Sequence, residues 1–322
     1  MRTWIVMTLW LAVVICPSLS LAETPAELNP PEQATPGEEE WWIDKAHRQA
    51  SGTLQETSQW VDGFFDNNRF IEEENRTRAR LKLGLRYTEG EDLEFEPRIN
   101  LRVHLPRLSR SAYLLLFATE EEKPEIGVLR TDPTFEDDSN KEAGAALQYF
   151  LKETEKYNIS FTGGGSTGYL YGGVRYRYLK ELGDWQARLM AQLRYYTDDG
   201  LKNLDTLDFD RKYSETWFFR TTFQLEWLEE EDDNDLPFAL AFRLYQTLDE
   251  DRVLSYEWEN RMEEVGEGEI SEVMLLFRYR QRFLREWLFY EVSPRVTFPE
   301  EEDWDPELAV LFKVDMNIGF LQ

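Results

Sequence analysis

The chain has 322 residues, of which 36 are basic and 63 acidic, for a formal net charge of -27. So acidic a protein is a poor partner for nucleic acid, whose phosphates attract basic surfaces. Its single cysteine, Cys16, excludes a framework of disulfides. The mean hydropathy of -0.58 excludes a bundle of membrane-spanning helices. It does not exclude membrane strands, in which only every second residue faces lipid.

Residues 1–22 predict a secretory signal peptide. Arg2 precedes an apolar run from Trp4 to Cys16, and the stretch ends in the small-residue pattern Ser20-Leu21-Ala22. The run is shorter than the ~20 residues that a membrane-spanning helix needs. A lipoprotein signal that uses Cys16 is disfavoured by the bulky Ile15 beside it. We therefore expect an exported protein.

Residues 23–75 predict a periplasmic linker followed by an amphipathic helix. The stretch 23–40 is rich in Pro and Glu and cannot bury a core. From Trp41 to Phe65, apolar residues recur at helical spacing. This helix either leads into the first strand near the rim of the next domain or enters that domain as a plug. The first interpretation is favoured, because short helices commonly dock at domain edges.

Residues 76–322 alternate between apolar and polar with a period of two, which predicts strands. In the last strand, Leu308, Val310 and Phe312 alternate with polar residues such as Lys313 and Asp315. The pattern repeats over about 14 segments, an even number of the kind found in bacterial barrels. The segment from Leu201 to Arg211 alternates least regularly. The predicted fold is all-β, a transmembrane antiparallel β-barrel.

The connections between these strands predict how the barrel lies in the bacterial outer membrane. Short connections alternate with more varied ones, among them the long stretch from Glu120 to Lys141. Because outer-membrane barrels have short periplasmic turns and longer outer loops, both chain termini are expected in the periplasm. Outer-membrane lipid is then a partner of the apolar face.

Aromatic residues predict two girdles at the membrane surfaces. Trp217 and Trp227 lie on the lipid-facing side of one strand, and Trp185 and Tyr195 repeat the spacing one hairpin earlier. Ten residues at ~3.3 Å each, with a tilt near 40°, span roughly 25 Å, about the height of the apolar band.

The opposite face of the strands carries basic side chains, which predicts a basic lumen. The residues assigned to the lumen are Arg78, Arg80, Lys82, Arg98, Arg102, Arg175, Arg177, Arg188, Arg194, Arg220, Arg243, Arg278, Arg280, Arg282 and Arg295. Two interpretations follow. Pairs of arginine with glutamate could brace the wall and block the bore. Alternatively, the basic residues select small anionic solutes that pass through a channel.

No pattern predicts a catalytic, cofactor-binding or metal site. The only histidines are His47 and His104, and His104 shows no nucleophilic partner in the sequence. Gly163-Gly164-Gly165 lacks the lysine and the helix of a phosphate-binding loop. A passive channel is therefore the leading hypothesis, followed by a structural or interaction barrel and then by a lipid-modifying enzyme.

Three stretches carry a resemblance to a known group: WVDGFF at Trp60–Phe65, YYTDDG at Tyr195–Gly200, and REWLFYEVSPRVTFP at Arg285–Pro299. Together they resemble uncharacterised proteobacterial outer-membrane β-barrel proteins with a C-terminal W-L-F-x-E-V-x-P motif. The resemblance implies the barrel fold but no activity. Such barrels usually end on an aromatic residue that the barrel-insertion machinery reads, whereas here Phe320 is followed by Leu321 and Gln322.

Overall fold

The computed structural model describes residues 57–61, 64–65, 78–105, 112–118, 143–154, 156–166, 168–198, 200–229, 237–262 and 270–318. Within them, fourteen antiparallel strands close into one barrel, which confirms the predicted fold class. The strands are β1 (Arg78–Thr88), β2 (Glu94–His104), β3 (Ala112–Ala118), β4 (Ala143–Glu153), β5 (Tyr157–Gly165), β6 (Leu170–Leu182), β7 (Trp185–Tyr196), β8 (Gly200–Lys212), β9 (Trp217–Leu228), β10 (Phe238–Asp249), β11 (Arg252–Met262), β12 (Glu272–Arg282), β13 (Leu288–Pro299) and β14 (Glu307–Ile318).

Each strand pairs with its neighbours in the sequence, and β1 pairs with β14 to close the barrel. The closing register runs from Ala79 opposite Ile318 to Thr88 opposite Ala309. The least regular segment of the sequence forms β8, a continuous strand paired with both β7 and β9. The predicted signal peptide, the linker and Phe320 lie outside the described residues.

The two faces of the barrel wall differ in chemistry as the alternation predicts. On β14, Phe312 is 43% exposed and its neighbour Lys313 is 1% exposed. On β1, Leu85 and Tyr87 are exposed on either side of the buried Arg86. The apolar side chains therefore face outward and the charged ones inward, which is the reverse of a water-soluble sheet and the arrangement of a barrel in a bilayer.

The two ends of the barrel differ in their connections. At the end where β1 begins and β14 finishes, β6 turns into β7 between Leu182 and Trp185, and β10 into β11 between Asp249 and Arg252. We call this the turn end. At the opposite loop end, the chain between Ala118 and Ala143 is the longest connection, and it lies outside the described residues. A short 3-10 helix (Glu300–Glu302) also lies at the loop end.

The turn between β6 and β7 needs a glycine. Gly183 has a φ of 66°, in the left-handed region that L side chains rarely adopt. The turn glycine therefore lies at the point where the apolar–polar alternation of both strands stops.

Helical structure among the described residues is limited and short. Residues 57–61 and 64–65 are helical and are treated below. No helix in the described part of the chain is long and apolar enough to cross a membrane.

Candidate functional site: the barrel lumen

The structure places the predicted basic residues on the inner face of the barrel. Those with buried side chains are Arg80, Lys82, Arg175, Arg177, Arg188, Arg220, Arg243, Arg278 and Arg280. Those with half-buried side chains are Arg98, Arg102, Arg194, Arg282 and Arg295. Arg78 begins β1, and its side chain is outside the described set.

The first cluster of inner charges centres on Asp210 of β8. Arg220 of β9 donates hydrogen bonds from Nε to Oδ1 at 2.7 Å and from Nη2 to Oδ2 at 2.9 Å. Arg188 of β7 donates from Nη2 to Oδ2 at 3.1 Å. The carboxylate thus joins three adjacent strands, and its fork-shaped contact with Arg220 is the strong bidentate kind.

The second cluster centres on Glu257 of β11. Arg243 of β10 donates from Nε at 3.0 Å, and the Nε of Arg278 of β12 lies 3.0 Å from Oε1. The hydroxyl of Ser255 donates to Oε1 at 2.7 Å. Glu257 therefore compensates a guanidinium on each neighbouring strand.

A hydroxyl links the first two clusters. Arg243 donates from Nη1 to Thr222 Oγ1 at 2.8 Å, and that hydroxyl donates to Asp208 Oδ1 at 2.6 Å. Asp208 in turn lies 3.7 Å from Arg188 Nη1. The charges from β7 to β12 consequently form one connected network.

The third cluster centres on Arg280 of β12 and Glu291 of β13. Arg280 Nη1 donates to Glu291 Oε2 at 3.0 Å and also hydrogen-bonds Asp315 of β14. Lys313 Nζ lies 3.3 Å from Glu291 Oε1, and Ser293 donates to the same oxygen at 3.0 Å. We call the inner face of β8–β14, with its alternating charges, the paired sector.

The inner face of β4–β7, apart from Arg188 of the first cluster, has a different composition. Arg175 and Arg177 project from β6, and Arg194 from β7. The stretches 143–152, 157–180 and 185–196 contain no Asp or Glu. We call this region, with the buried polar residues Gln148, Asn158 and Ser160, the basic wall.

Aromatic rings border the basic wall toward the loop end. Tyr171 and Tyr196 stack with ring centroids 5.4 Å apart, and Tyr169 packs on both. Arg194 lies 5.3 Å from the centroid of Tyr171, and its Nη1 donates to the Tyr196 hydroxyl at 3.2 Å. A guanidinium over a tyrosine face is a favourable cation–π contact.

The helical residues 57–61 and 64–65 lie inside the barrel, and we call them the plug segment. Val61, Phe64 and Phe65 are buried against Phe218, Tyr245, Val253 and Phe289. The ring of Phe64 meets Phe289 edge-on at 5.5 Å, and the ring of Phe65 lies 5.3 Å from Tyr245. The favoured expectation that this helix only leads into the first strand is therefore wrong, because its apolar face finds a matching apolar patch inside the lumen.

The plug segment also joins the first charge cluster. Ser58 is fully buried and donates from Oγ to Asp210 Oδ2 at 2.7 Å. Ser58 Oγ also accepts hydrogen bonds from Arg188 Nη2 at 2.8 Å and from Arg220 Nη2 at 2.9 Å. All the strand residues that the plug segment touches lie near the turn end, so the plug segment occupies that mouth of the bore.

Two of the stretches that carry the sequence resemblance meet at this point. Trp60–Phe65 contains the plug segment's aromatic residues, and Phe289 belongs to the W-L-F-x-E-V-x-P motif at Trp287–Pro294. Glu291 of the same motif is the carboxylate of the third cluster. The motif thus supplies both an aromatic contact for the plug and an anchor for the wall.

Sequence reasoning missed Ser58, Asp208 and Asp210 as lumen residues. Leu207 and Phe209 do mark the outer face next to the two aspartates, but Asn203 and Asp205 break that pattern farther along β8. On this outer face, Asn203 Nδ2 donates to Asp205 Oδ2 at 3.0 Å. Reading parity from the turn end of β8 alone would have found both aspartates.

The predicted girdle residues lie on the outer face. Trp217 stacks on Tyr256, and Trp185 contacts Phe219 edge-on. Tyr195 is exposed and Trp227 is half-buried.

His104 is the last residue of β2, and His47 lies outside the described residues. In the described part of the chain, no group of three or more His, Cys, Asp or Glu residues is placed to hold a metal ion.

No family model and no curated protein sequence matches the chain. Among solved structures, the anion-selective porin from Comamonas acidovorans is similar with a TM-score of 0.48 and 7% identity, over 75% of this chain and 98% of that one. A loop L8 deletion mutant of OmpT, an outer membrane protein of Vibrio cholerae, has a TM-score of 0.47 and 9% identity, over 75% and 98%. The KdgM porin has a TM-score of 0.36 and 7% identity, over 74% and 98%. Similarity this low leaves the function to be argued from the chain's own geometry, and the motif resemblance stays a prediction.

Proposed function

We propose that this protein is a channel of the bacterial outer membrane for small anionic solutes, and that the plug segment closes its turn end. The observation that carries the proposal is a closed barrel of fourteen strands with an apolar outer face and a basic inner face. An apolar outer face all around a barrel suits lipid. Barrels of ~8 strands are filled by their own side chains, while those of ~16 leave an aqueous channel, so this barrel encloses space beyond what its wall fills.

The sign of the proposed selectivity follows from the lining. Basic rings bias a pore toward anions. In the paired sector the carboxylates compensate this charge. On the basic wall the strands supply Arg175, Arg177 and Arg194, and their acidic residues, Glu153 and Glu181, lie only at the turn-end limits of β4 and β6. An anion that enters the bore therefore meets, on one side, strands that carry mostly basic side chains.

Withdrawal of the described plug residues leaves Asp210 compensated. Without Ser58, Asp210 keeps its bidentate contact with Arg220 and its contact with Arg188. Among the described residues, the segment is held by the Ser58 hydrogen bonds and by the apolar packing of Val61, Phe64 and Phe65, among other contacts. Breaking these contacts costs apolar burial and does not leave the Asp210 carboxylate buried without a partner.

The rival function is a structural or interaction barrel that never conducts. It is favoured by the same plug contacts and by the continuous network of the paired sector, since both brace the interior. The two functions differ in one measurable respect, which is whether the bore ever opens.

A covalent cross-link that locks the plug separates them. In a Cys16→Ser background the chain has no other cysteine. Phe65→Cys with Tyr245→Cys places one thiol on each of two side chains whose ring centroids are now 5.3 Å apart, and a short, reducible bifunctional thiol reagent spans the gap that the smaller side chains leave. In planar bilayers, we expect conductance that cross-linking abolishes and reduction restores. The Phe65→Cys single variant with the same reagent is the control and stays conducting.

A charge-introducing variant provides the complementary test. Phe64→Asp with Phe65→Asp puts two carboxylates into an apolar pocket and should expel the segment, raising the open fraction. Gln59→Asp is the matched control, because Gln59 is an exposed residue of the same helix. If the wild type and both aspartate variants fold correctly but do not conduct, the structural or interaction barrel is the correct function. A cation-selective reversal potential in a salt gradient would contradict the proposed selectivity.

A further inference from the structure

Arg211 of β8 is an arginine on the outer face of the barrel, close to the turn end. The buried Asp210 before it faces the lumen, so the next side chain along the strand faces outward. The side chain of Arg211 is 33% exposed. It lies beside Trp185, one of the predicted girdle residues, at the height where the apolar wall meets water. Arg211 therefore places a positive charge at the membrane surface, outside the bore.

Three aromatic rings hold Arg211 in place. Its guanidinium lies 5.3 Å from the ring centroid of Trp185 and 5.1 Å from that of Tyr213. Phe219 of β9 lies opposite Arg211 in the strand register, and its ring centroid is 6.3 Å from each of the other two. A guanidinium that stacks on aromatic faces keeps the N–H groups along its edge available for hydrogen bonds. We call Arg211 and these three rings the aromatic cage.

The described part of the chain gives this guanidinium one acidic contact, and that contact is weak. Arg211 Nη2 lies 3.4 Å from Asp184 Oδ2. Asp184 follows Gly183 in the turn between β6 and β7, and its side chain is 80% exposed. An ion pair with so exposed a carboxylate contributes little, because water solvates it well. An external anion with better geometry can therefore join or replace Asp184 at the guanidinium.

Lys180 of β6 supplies a second positive charge on the same side of the wall. It lies opposite Ala187 of β7, which lies opposite Phe209 of β8, so all three are on the outer face. Lys180 is exposed. Two strand spacings of ~4.8 Å and one step along the strand separate it from Arg211, a distance that two long side chains together can cover. One phosphate group between them is therefore within reach of both.

Arg252 shows a different arrangement at the same end of the barrel. It lies on the outer face at the start of β11, and its Nε donates to Asp249 Oδ2 at 2.7 Å. Its Nη2 hydrogen-bonds the same oxygen. Asp249 thus takes up two donors of Arg252, whereas Asp184 lies near a single donor of Arg211. Arg211 is therefore more available for an external anion than Arg252.

We propose that the aromatic cage and Lys180 form a binding site for the phosphate of an anionic phospholipid, in the membrane leaflet at the turn end. The forked guanidinium of Arg211 binds two phosphate oxygens, since it matches phosphate geometry bidentately. Lys180 adds a second charge, which favours a lipid with a net negative charge over a zwitterionic one. The site lies outside the bore, so it goes beyond the proposed channel and does not depend on it.

Native mass spectrometry of the protein in detergent tests the proposal with phosphatidylglycerol, phosphatidylcholine and inorganic phosphate as probes. Phosphatidylglycerol has a net negative charge, whereas phosphatidylcholine carries its phosphate beside a quaternary ammonium. We expect phosphatidylglycerol to bind severalfold more tightly than phosphatidylcholine. Equal binding of the two lipids would overturn the proposal. Inorganic phosphate that displaces phosphatidylglycerol at equal concentration would identify a site for free phosphate and would also overturn it.

Three variants locate the binding, each checked for the electrophoretic mobility of a folded, unheated barrel. Arg211→Gln should weaken phosphatidylglycerol binding roughly tenfold, the loss expected for a charge-assisted hydrogen bond. Lys180→Gln should weaken it severalfold. Arg252→Gln, which removes one outer-face charge at the same end, is the matched control and should leave the affinity unchanged. Equal losses for Arg211→Gln and Arg252→Gln would indicate general charge attraction and overturn the proposal.

Arg211→Lys distinguishes the aromatic cage from a simple positive charge. This variant keeps the charge but lacks the fork, so we expect phosphatidylglycerol binding nearly as weak as in Arg211→Gln. Wild-type affinity in Arg211→Lys would contradict the proposal. The same spectra report how many chains each particle contains. Wild-type particles of two or more chains that Arg211→Gln converts to single chains would make this face an interface between copies, and the lipid site would be wrong.

Discussion

The paired sector and the basic wall are built from the same kind of strand, but their inward-facing arginines have different neighbours. In the paired sector, Arg280 lies between Glu291 and Asp315 and is fully buried. On the basic wall, Arg175 is buried beside Arg177 and Arg194, and its own strand neighbours supply no carboxylate. The first arrangement holds strands together, whereas the second places three guanidinium groups side by side.

The difference shows that a count of inner arginines does not by itself predict selectivity. A guanidinium that shares a carboxylate with its neighbours contributes little field to the lumen, because the two charges nearly cancel at short range. Guanidinium groups that lie side by side add to one another's field. Structural bracing and the proposed anion selection are therefore compatible in one barrel, because they involve different sectors.

The largest expected effect comes from breaking the paired sector at Glu291. Glu291→Ala leaves Lys313 and part of Arg280 buried without their partner, and we expect a loss of about 3–5 kcal/mol in the free energy of unfolding. Urea unfolding in lipid vesicles measures it. Glu300→Ala, on the exposed 3-10 helix, is the control and should change stability little. A loss for Glu291→Ala as small as that of the control would remove the distinction between the sectors.

A double variant sharpens this result. Arg280→Met added to Glu291→Ala removes one stranded charge and should recover part of the lost stability, since neighbouring substitutions in one network are not additive. If the two losses simply add, Arg280 and Glu291 do not act as a pair.

A smaller effect is expected where the plug segment joins the paired sector. Ser58→Ala removes the hydrogen bonds to Asp210, Arg188 and Arg220, worth about 1–2 kcal/mol of docking free energy. In a Phe65→Cys, Cys16→Ser protein, the rate of thiol labelling should rise roughly 5- to 30-fold, the factor that corresponds to this energy. Gln59→Ala, at the exposed position, is the control. Unchanged labelling would mean that the hydroxyl is not an anchor.

The smallest effect is expected on the basic wall. Arg175→Met removes one of three neighbouring like charges, so the free energy of unfolding should fall less than it does for a guanidinium that shares a carboxylate with a neighbouring strand. The same unfolding measurement applies, with Arg243→Met, in the paired sector, as the matched comparison. A loss for Arg175→Met as large as that for Arg243→Met would show that Arg175 also braces the wall, and the contrast between the sectors would fail.

Alternation along most strands was enough to predict the barrel and the face on which their side chains lie. Lys313 and Phe312 differ by one position, and the period of two alone assigns them to opposite faces. The same local rule failed on β8, where Asn203 and Asp205 lie on the outer face and concealed Asp208 and Asp210. The face of the wall on which a side chain lies depends on a few consecutive residues. The sequence therefore predicts it wherever the apolar–polar pattern is unbroken.

Where the alternation is unbroken, the sequence by itself determined which residues face the lumen, but only the tertiary structure decided which of them meet. Ser58 and Asp210 are 152 positions apart, and their contact exists because the barrel closes around the plug segment. Whether an arginine braces the wall or faces the bore likewise depends on the carboxylates that neighbouring strands bring beside it. Strand register and closure set those neighbours, and neither is encoded in the period of a single strand.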